Sequence, residues 1–136
     1  MLYIVRGLPG SGKSTFAHSK RFAGALVLEN DMYHVKDGKY KFDRENMPDA
    51  IYWCQEACRN ALEHGMDVVV ANTFTKPEYI KIFEEMAKHY GHEFKVLKCT
   101  GNWQNVHNVP EDVLNAMRSG WQDWPGEEVV DFNQAM

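Results

Sequence analysis

Residues 2-LYIV-5 run almost directly into 7-GLPGSGKST-15, and this junction decides the fold. Gly7 to Ser14 satisfy the spacing GxxxxGK[ST], a pattern that carries chemical meaning only when a strand precedes it and a helix follows. Four apolar residues ahead of the loop read as a buried strand of a parallel sheet, and residues 13–22 (KSTFAHSKRF) read as the helix that the loop opens. Glycines at 7, 10 and 12 let successive N–H groups converge on phosphate oxygens, and the start of the helix adds partial positive charge. Lys13 is then placed to reach the terminal phosphates and Ser14 to hold Mg²⁺ through its hydroxyl. The expected site for ATP or another nucleoside triphosphate comprises Gly7, Pro9, Gly10, Ser11, Gly12, Lys13, Ser14 and Thr15.

Working outward, residues 25–28 (ALVL), 67–71 (DVVVA) and 94–97 (FKVL) read as further short buried strands, and 128–132 is a weaker strand candidate. Apolar residues at helical spacing mark helices over 48–64 and 76–90, with Gly65 and Gly91 as their stops and Pro77 in the first turn of the second. Another helix opens at 109–111 and runs to about 121. Strand and helix alternate without repeats or linkers, which predicts an α/β fold of three layers, the P-loop NTPase fold: a parallel sheet of 4–5 strands with helices on both faces and right-handed crossovers. Ligands in such sheets sit at the carboxyl ends of the strands. Residues 7–14, 29–31, 72–73 and the segment after Lys98 should therefore face one crevice.

The chain has 136 residues, enough for one domain with one core. No apolar run approaches the roughly 20 residues of a membrane-spanning helix, and the N-terminus shows no basic leader or cleavage pattern, so the expectation is a cytoplasmic protein without a membrane partner. Three cysteines argue against a disulfide framework; Cys54 and Cys58 share a helix face and read as core thiols. A net charge of -4 excludes a protein that coats nucleic acid generally, but leaves room for a local basic patch. Residues 36–44 (KDGKYKFDR) offer one, interleaving Lys36, Lys39, Lys41 and Arg44 with Tyr40 and Phe42. Cations beside aromatics grip phosphates and stack bases in single-strand binders. The same run also reads as a solvated loop anchored on the core by its two rings.

A phosphate loop alone does not separate a kinase from a motor. Motors place an acid at the tip of the third strand, whereas this strand ends Ala71-Asn72-Thr73, and Asp67 lies at its far end, roughly 10 Å away or more at about 3.3 Å per residue. Hydrolysis-driven work is disfavoured on that ground. Asp31 follows the second strand at its carboxyl end, where a carboxylate can take the proton of an incoming hydroxyl. A turn or N-cap aspartate is the alternative reading of the same residue.

These residues resemble the P-loop kinase family that includes the kinase domain of bacteriophage polynucleotide kinase and the kinase-like domains of NEDD-binding proteins and of myelin cyclic nucleotide phosphodiesterase. The similarity runs from GLPGSGKST through END at 29–31, YKFD at 40–43 and VVVANT at 68–73 to NVHNVPEDVLNAM at 105–117. The resemblance implies a single P-loop kinase domain over 1–136 with a lid region at about 101–121. It also implies that Asp31 is the base acting on a 5'-hydroxyl, and that Asn72 and Thr73 stand near the acceptor. His34 falls where the family has a substrate-binding arginine, and Lys39 and Lys41 join it as expected acceptor contacts. The chain departs from the family pattern at Asn72, where the phage enzyme has an acid, and at Ala71, where other relatives have Asp. It departs again at Trp103-Gln104, where members carry a lid arginine that stabilises the transferring phosphoryl group. Arg118, one helix later, is the candidate to take over that task, and His107 a candidate phosphate contact or helix cap.

The implied activity is ATP-dependent, Mg²⁺-requiring transfer to a hydroxyl, most plausibly the 5' end of a nucleic acid or a nucleoside-type acceptor. Two alternatives stay open: a small-molecule kinase resembling zeta toxin or chloramphenicol phosphotransferase, and a nucleotide-binding module without catalysis. Lys13, Asp31 and Arg118 are the expected catalytic residues, and Ser14 the expected metal ligand.

Overall fold

The structure, a computed structural model, describes residues 1–36, 39–40, 47–101 and 109–130, with the backbone alone at 34–36 and 39–40. Strand β1 (Leu2–Arg6) leads through the glycine loop into helix α1 (Lys13–Ala17), a 3-10 turn (Lys20–Phe22) and β2 (Leu26–Leu28). A second 3-10 turn (Asn30–His34) precedes the two-residue antiparallel pair β3 (Val35–Lys36) and β4 (Lys39–Tyr40). Then follow α2 (Met47–Glu63), β5 (Val68–Asn72), α3 (Glu78–His89), β6 (Phe94–Cys99), α4 (Glu111–Ser119) and β7 (Glu128–Val130). The main sheet has five strands in the order β2-β5-β1-β6-β7, all parallel, as the alternation predicted.

The period of two along each strand divides the core. Leu2, Ile4, Val68, Val70 and Val96 face α2 and α3, while Val5, Val69, Ala71, Leu97 and Cys99 face Phe16 and Ala17 of α1 and Phe22 behind it. With apolar residues buried on both faces, β1 and β5 read as continuous hydrophobic runs, which is why they were legible. Helix α2 buries Ala50, Cys54, Cys58, Ala61 and Leu62, mostly small side chains on one face. Burial pushes the Cys54 thiol up to about 11 and the Cys58 thiol to about 12, so both are unreactive core groups at neutral pH.

One expected element is shorter than its sequence suggested. The helix expected over 13–22 ends at Ala17; Ser19 is extended, and a 3-10 turn takes its place. Packing explains this, because Phe22 must return to the sheet to meet Phe16 edge-on at 5.2 Å and Tyr3 at 4.9 Å between ring centroids. A continued helix would carry residue 22 away from that face. Conversely, β6 continues to Cys99, two residues further than its apolar run.

The carboxyl ends of the strands are tied together by Arg6, the last residue of β1 and fully buried. Its Nε and one terminal nitrogen donate to the Phe74 carbonyl at 3.0 and 2.5 Å, and that nitrogen also donates to the Gln122 carbonyl at 2.7 Å. The other terminal nitrogen meets Glu127 Oε1 at 2.8 Å, and the guanidinium stacks 4.2 Å from the Trp121 ring centroid. Phe74 has a φ of 47°, a left-handed conformation that is costly for a side-chain-bearing residue, so the donors on its carbonyl help hold a strained turn. Both charges of the pair are out of water, with the Glu127 side chain only 7% exposed. Breaking such a pair from one side strands the other charge. Replacing Glu127 with Gln is accordingly expected to lower the unfolding free energy by about 3 kcal/mol, read as a shifted urea midpoint at constant slope. A shift equivalent to less than about 0.5 kcal/mol, the size typical of exposed substitutions, would show that the pair does not tie the C-terminal segment to the sheet.

Candidate active site

The loop leaving β1 is shaped by Gly10 and Gly12, whose φ values of 81° and 91° place them in the left-handed region that a Cβ disfavours. The first intrahelical bond of α1 runs from Phe16 N–H to the Gly12 carbonyl at 2.9 Å. The N–H groups of Lys13, Ser14 and Thr15 therefore have no acceptor within the helix. With only five residues, α1 has a small macrodipole, so the attraction for an anion lies more in these N–H groups and the Lys13 ammonium than in helix charge.

Two features fit a phosphate-bearing ligand. Gly7 is packed so closely that a Cβ would lie 2.3 Å from Ser11 Oγ and 2.8 Å from the Cys99 carbonyl, so the loop is folded tightly against the end of β6. Ser11 is 2% exposed and its hydroxyl has no hydrogen-bond partner within the described residues, an orphaned buried donor in the middle of the loop. Its backbone is in use, the carbonyl accepting from Gly101 N–H at 3.1 Å.

Lys13 Nζ donates to the Leu8 carbonyl at 3.2 Å. Burial holds its ammonium below the ordinary lysine value, and the charges of Asp31 and Glu29 oppose that shift. The neighbouring Cys99 thiol is pushed up to about 11, chiefly by its own burial, and stays neutral at pH 7, so the counter-charges beside Lys13 are the two carboxylates. Asp31 sits in the first turn of the 3-10 turn after β2, half-buried, at the carboxyl end of the sheet.

Glu29, a residue of the polar cluster 29–31 to which the motif spacing assigns no role, is central here. Its Oε2 accepts from Ser14 Oγ at 3.3 Å and lies 3.2 Å from His18 Nε2. The β5 tip has no acid, and a carboxylate on the residue after β2 stands beside the Ser14 hydroxyl instead. The available signal was position: Glu29 is the first polar residue after β2, yet sequence order alone does not say that it leans toward Ser14. No group of three His, Cys, Asp or Glu residues comes together among the described residues. The Ser14 hydroxyl and the nearby Glu29 carboxylate are the groups here that could hold a Mg²⁺ shared with phosphates.

Asn72, at the end of β5, forms a clasp with the 3-10 turn that follows β2. Its Oδ1 accepts from Asn30 N–H at 2.8 Å, its Nδ2 donates to Asn30 Oδ1 at 3.3 Å, and the same nitrogen lies 3.9 Å from Cys54 Sγ on α2. The adjacent Thr73 receives Gly7 N–H on its carbonyl at 3.4 Å. These two residues thus position the turn carrying Asp31 and the entry to the glycine loop. Arg118 lies in the last turn of α4, half-exposed, where it donates to Asn115 Oδ1 at 3.0 Å and stands 3.9 Å from Glu111 Oε1. Service at a phosphate requires it to leave those partners. His34 ends the 3-10 turn and Lys39 lies in β4, both described by backbone alone; Lys41, Trp103, Gln104 and His107 lie outside the described residues.

Comparison with known proteins agrees with this geometry. A family model described as an AAA domain matches residues 2–108. Human NEDD4-binding protein 2 is 26% identical over 144 residues, covering 96% of this chain, which spans only 8% of that protein. Among solved structures, a candidate kinase from Chloroflexus aurantiacus superposes with a TM-score of 0.71 at 18% identity, covering 99% of this chain and 90% of that one. The Mycobacterium tuberculosis APS kinase in complex with AMPPNP and APS gives 0.62 at 17% identity, covering 98% and 92%. These likenesses establish a P-loop, kinase-like fold. No described helix is long and apolar enough to cross a membrane.

The orphaned Ser11 hydroxyl gives a test of the loop as a ligand site. Ser11→Ala removes an unsatisfied buried group and is expected to raise the stability of the ligand-free protein by about 1 kcal/mol while weakening nucleotide binding, as read by thermal melts with and without nucleotide. A fall in ligand-free stability would mean that the hydroxyl is already satisfied.

Proposed function

The chain belongs to the AAA domain family, and within it we propose that this protein is a kinase that transfers the terminal phosphoryl group of a nucleoside triphosphate to a hydroxyl of a nucleoside-type acceptor. The observation that carries the reading is the glycine loop itself, with Gly10 and Gly12 in the left-handed region, the Ser11 hydroxyl buried without a partner among the described residues and Ser14 Oγ 3.3 Å from Glu29 Oε2, while Asp31 sits two residues after Glu29 in the turn that follows β2. Lys13 and the N–H groups of the loop hold the donor's phosphates, and the Ser11 hydroxyl gains a partner there. Asp31 takes the proton from the acceptor hydroxyl as the new oxygen–phosphorus bond forms and the bond to the departing diphosphate breaks. Ser14 and Glu29 would hold Mg²⁺, which when bound neutralises charge on the phosphates.

The likeness to the APS kinase complex supports a nucleotide donor, and the resemblance to the polynucleotide kinase group supports a hydroxyl acceptor. A 5' nucleic-acid end is a second reading of the acceptor, and its support is the basic and aromatic run at 36–44. In this reading the segment from about 101 to 121 acts as the lid, with Arg118 swinging from Asn115 to the phosphates.

Lys13→Ala is expected to abolish nucleotide binding. Asp31→Asn should leave binding within about twofold and lower transfer by about 10²-fold or more, measured with labelled ATP and hydroxyl acceptors. Parental transfer by Asp31→Asn would refute its role as base. Glu29→Gln should weaken Mg²⁺ binding to the nucleotide complex by about tenfold without changing metal-free nucleotide binding, compared by calorimetry with and without chelator. Unchanged Mg²⁺ affinity would leave Glu29 with only a structural part.

A further inference from the structure

A cavity of about 460 Å³ opens between the 3-10 turn Asn30–His34 and α2, and Tyr33, Asp49, Tyr52, Trp53, Glu56 and Asn60 are among its lining residues. Three aromatic side chains and two carboxylates therefore face one space. Tyr33 and Trp53 lie 6.4 Å apart between centroids, tilted by 38°, and Tyr52 is 65% exposed at the mouth. Among the described residues no lysine or arginine lines the cavity; Arg59 pairs with Glu56 from the next turn of α2.

Position links this space to the reaction. Tyr33 and Asp31 are two residues apart in one 3-10 turn, about 4 Å along its axis at roughly 2 Å per residue. The Asn72 clasp holds that turn against β5 and reaches toward Cys54 on α2, so the wall of the cavity and the carboxylate share one support. The chemistry of the lining selects its occupant. Aromatic faces stack on a flat ring, a carboxylate accepts from amino groups such as those on nucleobases, and with Glu56 paired to Arg59 it is the Asp49 carboxylate that disfavours a phosphate.

We propose that this cavity binds the non-reacting part of the acceptor, and that this part is a flat, amino-bearing ring carrying no phosphate: a free nucleoside fits, and a phosphate-bearing strand does not. The acceptor hydroxyl then lies toward Asp31 while the ring stacks among Tyr33, Tyr52 and Trp53 and its amino group faces Asp49 or Glu56. The inference rests on the kinase reading for the fate of the hydroxyl, but not for the binding itself.

The test therefore measures binding and transfer separately. Calorimetry of the full chain with adenosine, cytidine, uridine, adenosine 3'-phosphate and a short 5'-hydroxyl oligonucleotide, in the presence of a non-hydrolysable ATP analogue, should rank the two amino-bearing nucleosides first. The 3'-phosphate should bind about tenfold or more weakly. Tyr52→Ala and Asp49→Asn, both exposed positions whose change spares the core, should each weaken adenosine binding several-fold and leave ATP-analogue binding unchanged. Asp49→Asn should also narrow the gap between adenosine and its 3'-phosphate. Equal or tighter binding of the 3'-phosphate or the oligonucleotide, or nucleoside binding indifferent to both substitutions, overturns the proposal even if transfer occurs. Nucleoside binding that follows the expected ranking without any phosphate transfer supports the cavity and instead refutes the kinase assignment.

Discussion

The architecture of the carboxyl edge depends on a guanidinium that water does not reach. Arg6 closes β1 immediately before the glycine loop, and its donors engage the turn after β5, the segment after α4 and a carboxylate 121 residues away. A lone buried charge would be intolerable, whereas one with three oxygen partners and an indole face fixes where several loops leave the sheet. The glycine loop, the Asn72 clasp and the base of α4 all start from strands or turns that this group aligns. Rigidity at the strand ends lets a site built from short loops have defined geometry.

Around that anchor, the crevice is divided by charge and polarity. At the glycine loop stand N–H groups with no acceptor within the helix, the half-buried Lys13 and the orphaned Ser11 hydroxyl. The Glu29 carboxylate, just after β2, stands 3.3 Å from the Ser14 hydroxyl, and the space against α2 is lined by aromatic side chains with Asp49 and Glu56. An anion is therefore favoured on one side and disfavoured on the other. This separation suits a reaction in which one substrate carries several negative charges and the other receives one of its groups.

Much of the frame was legible because it depends on local pattern. The apolar runs at 2–5 and 67–71, the loop spacing and the stop at Gly65 identified strands, loop and α2 with boundaries close to those found. What was hidden depends on contacts across the chain. Residues 13–22 contain good helix formers, and only the meeting of Phe16, Phe22 and Tyr3 shortens α1. Arg6 looks like the polar end of an apolar run until Glu127 and Phe74 reach it. Glu29 was visible as an acid at a strand end, but not as the partner of Ser14, because sequence order gives a side chain's neighbourhood and not its direction. Asn72 similarly sat where the family keeps polar groups, and its bonds to Asn30 were not readable from one strand alone.

Trp121 lies just past the C-terminal end of α4 with a guanidinium 4.2 Å from its ring centre on account of Arg6 and the Lys98 ammonium at 5.2 Å, while its indole N–H donates to Asp123 at 3.0 Å. An excited indole is sensitive to the charges that surround it. With Trp53, Trp103 and Trp124 replaced by Phe, the remaining indole becomes an optical gauge at the root of α4: a rotation of that helix that draws the ring away from either cation changes its emission, and the motion can be timed without attaching a dye.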